Sequence, residues 1–151
     1  MPKSKIKGKD DNNKISSSTN CININPSFDF GNITNKDGYS ITALYEVFGN
    51  DKTSAKSLMN LFKVISESSW VELQSRNKQQ IGGYELLESS IFKKKIWEKL
   101  PDKIFPDTKL YVFRFGSGDK YRVVGFKPSD SCKFIIKILG FDLDYSLYNH
   151  E

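Results

Sequence analysis

The length, composition and charge of the chain limit what it can be. It has 151 residues, 38% of them apolar, which is enough for one globular domain with a core, and it has no apolar run near the roughly 20 residues of a membrane span. The formal net charge is +5, and the first 14 residues hold five lysines and two aspartates. We therefore expect a soluble domain, no membrane partner, and most of the excess charge in a tail.

Residues 1–20 are rich in Lys, Asn, Ser and Asp and poor in apolar side chains. This composition predicts a disordered basic leader, followed by a single domain over residues 21–151. A basic leader can alternatively add electrostatic affinity for nucleic acid. Because its lysines are not followed by an apolar segment, it does not resemble a secretory signal, and a cytoplasmic location is the simplest expectation.

The two cysteines, Cys21 and Cys132, lie far apart and form neither a CxxC pair nor a Cys/His cluster. The sequence therefore predicts no metal site and no cofactor. Reduced thiols suit a cytoplasmic protein, although a disulfide between these two residues stays an alternative.

Residues 24–41 alternate loosely between apolar and turn-forming residues, which predicts short strands and turns. Residues 51–68 then place Leu58, Leu61, Phe62 and Ile65 on one helical face. A second helix is predicted to begin at Ser68 or Ser69 and to run toward the glycine pair at 82–83. The stretch SSIFKKKIWEKLPD, residues 89–102, predicts a third, short helix that ends at a proline.

Three runs rich in β-branched and aromatic residues follow, namely KLYVFRFG, KYRVVGFK and KFIIKILGF. The short connectors GSGD and PSDS predict two hairpins, and hence an antiparallel meander over residues 109–141. GSGDK leads into a strand and not a helix, so it is a hairpin turn and not a phosphate-binding loop. The expected fold class is α+β, with the helices packed on one face of this C-terminal meander.

Two arginines interrupt the apolar pattern of the first two meander strands. Alternation places Arg122 on one face together with Val124 and Phe126, and Arg114 lies on the neighbouring strand. The planar guanidinium group can grip phosphate with two hydrogen bonds at once. The alternative for each residue is an arginine that faces solvent on the polar side of the sheet.

The segment LYVFRFGSGDKYRVVGFKPSDSCKFIIKILGFDLDYSLY resembles the C-terminal half of the RelE/ParE/HigB superfamily of small bacterial toxins. Four features carry the resemblance: the strand LYVFRF, the short turn GSGD, the motif YRVV at the start of the next strand, and a last strand that ends in ILGF shortly before SLY. The resemblance extends over roughly residues 58–148. It implies a RelE/ParE-like fold for the domain, and for many members an RNA-cleaving activity.

The resemblance also implies roles for individual residues. It suggests Arg122 and Tyr148 as catalytic residues and Arg114 as an RNA-binding residue, and His150, the only histidine, is added as a catalytic candidate that could carry a proton. Lys120 is a further RNA-binding candidate, and the basic cluster of Arg76 and Lys78 is expected either to contact RNA or to cap helix carbonyls. Tyr148 is expected either to stack on a base or to close the core, and His150 either to carry a proton or to be an exposed chain end. Tyr145, Tyr111 and Trp70 are assigned to packing. Asp142 and Asp144 depart from the family, which has a basic residue after the last strand, and are expected to repel the scissile phosphate.

The predicted function is therefore the toxin of a toxin–antitoxin pair, acting as a metal-independent endoribonuclease. Its expected partners are a cognate antitoxin protein and RNA or the ribosome. A non-catalytic module of the same fold that binds nucleic acid or protein is the alternative, which the two aspartates favour. An accessory protein of mobile-element origin is a third possibility.

Overall fold

A computed structural model describes residues 24–128 and 134–150 of the chain. The predicted leader, both cysteines and most of the PSDS connector lie outside these described residues. The described part contains no helix that is both long enough and apolar enough to span a membrane.

Five strands and three α-helices make up the described fold. In chain order they are β1 (Ser27–Asp29), α1 (Ile41–Asn50), α2 (Lys52–Glu67), α3 (Trp70–Ser75), β2 (Tyr84–Glu88), β3 (Lys109–Phe115), β4 (Tyr121–Phe126) and β5 (Ile135–Asp142). Two short 3₁₀ turns, Ser89–Ile91 and Ser117–Asp119, follow β2 and β3. The α+β class is thereby confirmed.

The strands form one sheet in the order β1-β5-β4-β3-β2. The pairs β2–β3, β3–β4 and β4–β5 are antiparallel, and only β1 lies parallel to its neighbour β5. The predicted meander therefore exists, with GSGD as its hairpin turn, where Gly116 and Gly118 adopt φ of 89° and 68°. Strand β1, at one edge, lies within residues 24–41, where short strands and turns are predicted, whereas β2, at the other edge, is not predicted.

The helices cover one face of the sheet, as predicted. Helix α2 buries Leu58, Leu61 and Ile65 against side chains of the strands, and α3 adds Trp70 and Leu73. The opposite face is covered by irregular chain and not by helices. Its core consists of Tyr39, Phe92, Ile96, Leu110, Val112, Val124, Phe126, Leu139, Leu147 and Tyr148.

The prediction of a third helix over residues 89–102 is wrong. Residues 89–102 contain only the 3₁₀ turn Ser89–Ile91 and irregular turns. The backbone amides of Ser89, Ser90 and Lys93 donate to the carbonyls of Thr108, Pro106 and Leu147, so tertiary partners replace the bonds of a helix. The four-residue apolar spacing arises because Phe92 and Ile96 both pack into the second core.

Two further helix boundaries differ from the prediction. Helix α3 begins with Ser69 as its cap, but it ends at Ser75. Beyond it the Asn77 side chain accepts hydrogen bonds from the amides of Gln79 and Gln80, and such local bonds compete with a helix. Helix α1 is not among the predicted helices, although the Ser40 side chain caps it.

A polar cluster ties the start of α2 to the β3–β4 hairpin. Asp51 accepts hydrogen bonds from the amide and the hydroxyl of Ser54 at 3.0 and 2.6 Å, and its carboxylate lies 3.2 Å from Lys120 Nζ. The Ser57 hydroxyl accepts from the Gly116 amide at 2.9 Å. The bonds from Ser54, followed by the pairing with Lys120, lower the pKa of Asp51 from 3.8 to about 2.

A carboxyl group whose pKa is lower in the folded state stabilises the fold at pH values above its pKa in the unfolded chain. This contribution disappears as the pH falls through the pKa of the folded state. We therefore expect Asp51→Ala to lower the thermal midpoint by a few degrees at pH 7, with the difference fading between pH 4 and pH 2. Asp51→Asn is the matched control, because asparagine keeps the helix cap and loses the charge. An Asp51→Ala deficit as large at pH 2 as at pH 7 would contradict this assignment.

Candidate functional site

A pocket of about 250 Å³ opens at one end of strands β3 and β4, on the sheet face away from the helices. We call it the Arg122 pocket. It is lined by Lys78, Glu85, Leu87, Ile91, Arg114, Arg122, Tyr148, Asn149 and His150. Five of the seven residues for which the sequence predicts a catalytic or RNA-binding role are in this set.

The sheet register explains why the two arginines meet. Arg114 pairs with Arg122 across β3 and β4, and Arg122 pairs with Asp142 across β4 and β5. Residues that lie opposite each other on adjacent strands project from the same face. Two adjacent cations would repel, and the carboxylates of Glu85 and Asp142 lie on either side of them.

Arg122 is buried, with only 6% of its surface exposed, which excludes the solvent-facing alternative. Its Nη1 donates to the carbonyl oxygens of Asp119 and Tyr121. These bonds fasten the hairpin turn, so the residue also has a structural role. Its Nε is buried and has no hydrogen-bond partner among the described residues.

Arg114 is held by Glu85, whose carboxylate Oε1 lies 3.0 Å from Arg114 Nη2. The other carboxylate oxygen, Oε2, lies 3.7 Å from Lys78 Nζ. The Arg114 side chain is 21% exposed, and its buried Nε also lacks a partner within the described part of the chain. Sequence reasoning misses Glu85, because its role depends on strand β2, which the sequence pattern does not predict.

His150 is not an exposed chain end, since only 15% of its side chain is accessible. Its Nε2 lies 2.8 Å from Oδ2 of Asp142, and the other oxygen of Asp142 accepts from the amide of Ser146 at 3.2 Å. The Asp142 side chain is fully buried. Asp142 is therefore a partner that orients the imidazole, and its carboxylate is not presented to solvent.

The His150–Asp142 bond fixes the protonation pattern of the ring. A carboxylate accepts only, so in the neutral imidazole Nε2 carries the hydrogen and Nδ1 holds a free lone pair. An imidazole held in this way can accept a proton at Nδ1 while the buried carboxylate stabilises the resulting charge.

Tyr148 closes the core, which is one of its two predicted roles. It is 4% exposed, and its ring stacks on His150 with centroids 4.0 Å apart. Burial raises its pKa, and the neighbouring Arg122 opposes part of that rise. The hydroxyl is thus protonated at neutral pH and is available as a donor, whereas the ring has no free face for a base.

The assignment of Tyr145 to packing is wrong. The side chain is 49% exposed, its ring meets His150 edge-on at 4.7 Å, and the Arg122 guanidinium lies 5.9 Å from its centroid. Its φ of 61° is unusual for a residue with a large side chain. Trp70, at 5% exposure, and half-buried Tyr111 do pack as predicted.

Two predicted RNA-binding residues lie elsewhere. Lys120 pairs with Asp51 at the start of α2, on the helix side of the sheet. Arg76 is half-buried at the end of α3 and does not line the Arg122 pocket. Within the described ranges, no three His, Cys, Asp or Glu side chains are grouped closely enough to hold a metal ion.

Comparisons with protein-family models, with curated proteins and with solved structures give no match for this chain.

Proposed function

We propose that the protein is the toxin of a toxin–antitoxin pair, of RelE/ParE-like fold, and that it cleaves RNA in the cytoplasm at the Arg122 pocket without a metal ion. The observation that carries this proposal is the meeting of two arginines with the Asp142–His150 pair in one pocket. The placement of the helices on one face of a C-terminal meander supports the fold assignment.

The chemistry is attack of an RNA 2′-hydroxyl on the adjacent phosphorus. His150 Nδ1 takes the hydroxyl proton, the 2′-oxygen forms a bond to phosphorus, and the bond from phosphorus to the 5′-oxygen breaks. The products are a 2′,3′-cyclic phosphate and a 5′-hydroxyl. Tyr148 lines the pocket and burial keeps it protonated, so it is the donor assigned to the leaving 5′-oxygen, and solvent returns the proton from His150 to Tyr148.

The arginines act on the charge that develops at phosphorus. Both guanidinium groups line the pocket, so their positive charge and N–H donors lie where a bound phosphate would develop negative charge. Glu85 and Asp142 hold the guanidinium and imidazole groups in place, which limits their freedom before substrate binds. Removal of one such donor typically lowers a rate by about 10²–10³-fold.

A second candidate is a non-catalytic module that binds RNA or a protein through the same pocket. The ion pair between Arg114 and Glu85 favours it, because a carboxylate already occupies part of the guanidinium. In that case RNA binds and no product forms, with or without ribosomes. The two candidates are separated by assaying binding and cleavage on the same sample.

Arg114→Gln tests the proposal more cleanly than a change at Arg122, which also fastens the hairpin turn. We expect Arg114→Gln to lower the cleavage rate of end-labelled RNA in EDTA by about 100-fold and to relieve growth inhibition on induced expression. Lys120→Gln is the matched control, since it removes one charge from the same hairpin outside the pocket, and its rate stays within about twofold of the parent.

Equal losses in both variants would show that general positive charge, and not the pocket, is responsible. A parent protein that leaves RNA intact with and without ribosomes, and that does not inhibit growth, rules out cleavage. If such a protein still loses RNA affinity specifically with Arg114→Gln, the binding module is the correct function. A neighbouring gene whose product suppresses growth inhibition would identify the antitoxin.

A further inference from the structure

Two more cavities lie along the irregular chain that covers the second sheet face. One, of about 300 Å³, has Lys95, Trp97 and Phe105 in its lining. The next, of about 460 Å³, has Phe105, Lys103 and Lys127 in its lining. Phe105 borders both, and we call the pair the lysine–aromatic groove.

This groove begins beside the Arg122 pocket. The turn at residues 89–92 separates them, with Ile91 lining the pocket and Phe92 lining the groove. Phe92 also bridges the two rings on either side, at 5.4 Å from Tyr148 and 6.3 Å from Trp97. From the pocket, the groove runs toward Lys109, and the five residue-to-residue steps from Lys109 to Arg114 span about 17 Å of strand.

The groove is basic and carries an exposed ring. Phe105 is 52% exposed, with Lys103 Nζ at 5.2 Å from its centroid. Among the described residues, Lys95, Lys103 and Lys127 have no carboxylate within ion-pair distance. Residues 93–109 hold six lysines and three acidic residues, and one of those acids, Asp102, pairs with Lys137 at 3.2 Å.

We propose that the lysine–aromatic groove binds single-stranded RNA that extends from the scissile phosphate in the Arg122 pocket, an inference that rests on the proposed function. Bases that are not stacked on each other can stack on the exposed Phe105 ring and on the half-buried Trp97 ring, and Lys95 and Lys103 contact the backbone phosphates. Duplex RNA does not fit, because its bases are stacked on each other and present no free face.

The test measures binding and not cleavage, so the His150→Gln protein is used with labelled RNA of two and eight nucleotides. We expect Phe105→Ala to weaken binding of the octamer about 5- to 100-fold and to leave the dinucleotide within about twofold. Phe105→Tyr, which keeps a ring, restores octamer binding and shows that Phe105→Ala acts through stacking and not through misfolding.

The lysines are tested through salt dependence. The double variant Lys95→Gln/Lys103→Gln is expected to reduce the salt slope of octamer binding by about 1.4, or about 0.7 for each phosphate that a lysine no longer neutralises. Lys93→Gln/Lys94→Gln is the matched control, because it removes the same charge from exposed neighbours that line neither cavity.

The proposal is overturned if the groove variants bind the octamer as tightly as the parent, or if they lose affinity for the octamer and the dinucleotide equally. Equal affinity of the protein for single-stranded and duplex RNA also overturns it. If the unsubstituted protein binds longer RNA more tightly but cleaves none, the groove proposal is supported and the cleavage proposal is ruled out. Cleavage without any length dependence would leave the pocket chemistry standing and remove the groove.

Discussion

Replacing His150 by glutamine is expected to lower the RNA cleavage rate by about 10²–10⁴-fold while RNA affinity changes less than about twofold. The physical reason is that the His150 imidazole, held by Asp142 in the Arg122 pocket, supplies the acceptor nitrogen Nδ1 on which the proposed cleavage depends. Glutamine retains an amide hydrogen that can donate to Asp142, so the buried carboxylate keeps a partner. It has no nitrogen that can accept the proton of a 2′-hydroxyl.

His150→Ala is the informative comparison. Alanine leaves the Asp142 carboxylate buried with one partner fewer, since His150 Nε2 is its closest hydrogen-bonding neighbour at 2.8 Å. We expect the alanine protein to lose the same activity and, in addition, about 1–3 kcal/mol of folding stability. Single-turnover cleavage and denaturant unfolding measure the two effects separately. A glutamine variant that cleaves at the parental rate would remove His150 from the chemistry.

The meander and the approach of its two arginines could be predicted from the sequence because both depend on short-range rules. Turn residues fix the hairpin length, hairpin length fixes the register, and alternation then decides which side chains share a face. The direction of antiparallel strands likewise predicts that the residues after β5 return to the start of β4. These rules are sufficient to place Arg122, Tyr148 and His150 near one another.

The environment of each side chain could not be predicted in the same way. Glu85 reaches Arg114 only because β2 adds to the sheet edge, and Tyr145 is turned outward by a backbone with positive φ. The segment after β2 has helical spacing yet forms no helix, because its backbone amides donate hydrogen bonds to carbonyl groups that are distant in sequence. Such partners are set by tertiary contacts, and spacing carries no information about them.

Asp142 shows the same limit with the greatest consequence for function. The sequence places two acids where a family of RNA-cleaving proteins has a basic residue, and simple charge counting then predicts repulsion of phosphate. The structure distinguishes them, because Asp142 is fully buried against His150 whereas Asp144 is exposed and accepts hydrogen bonds from Ser146 in its own turn. Neutralising Asp142 is therefore expected to affect cleavage strongly, and neutralising Asp144 is expected to affect it little.

Asp142→Asn is expected to lower the cleavage rate by about 10²–10⁴-fold, whereas Asp144→Asn leaves it within about threefold. The asparagine oxygen can still accept from the Ser146 amide, but the side-chain nitrogen then faces His150 Nε2 and donates to it. Nε2 becomes the acceptor, the ring hydrogen moves to Nδ1, and the base that the 2′-hydroxyl requires is lost.

The sign of the Asp142→Asn effect decides between the two views of this residue. If the carboxylate only repels phosphate, its neutralisation raises both RNA affinity and cleavage, and Asp144→Asn produces a similar rise. If it orients the imidazole, affinity stays nearly constant and the rate falls. Combining Asp142→Asn with His150→Gln then adds little further loss, because both changes remove the same proton acceptor, whereas independent contributions would multiply. Cleavage rates of the two single variants and the double variant measure that coupling directly.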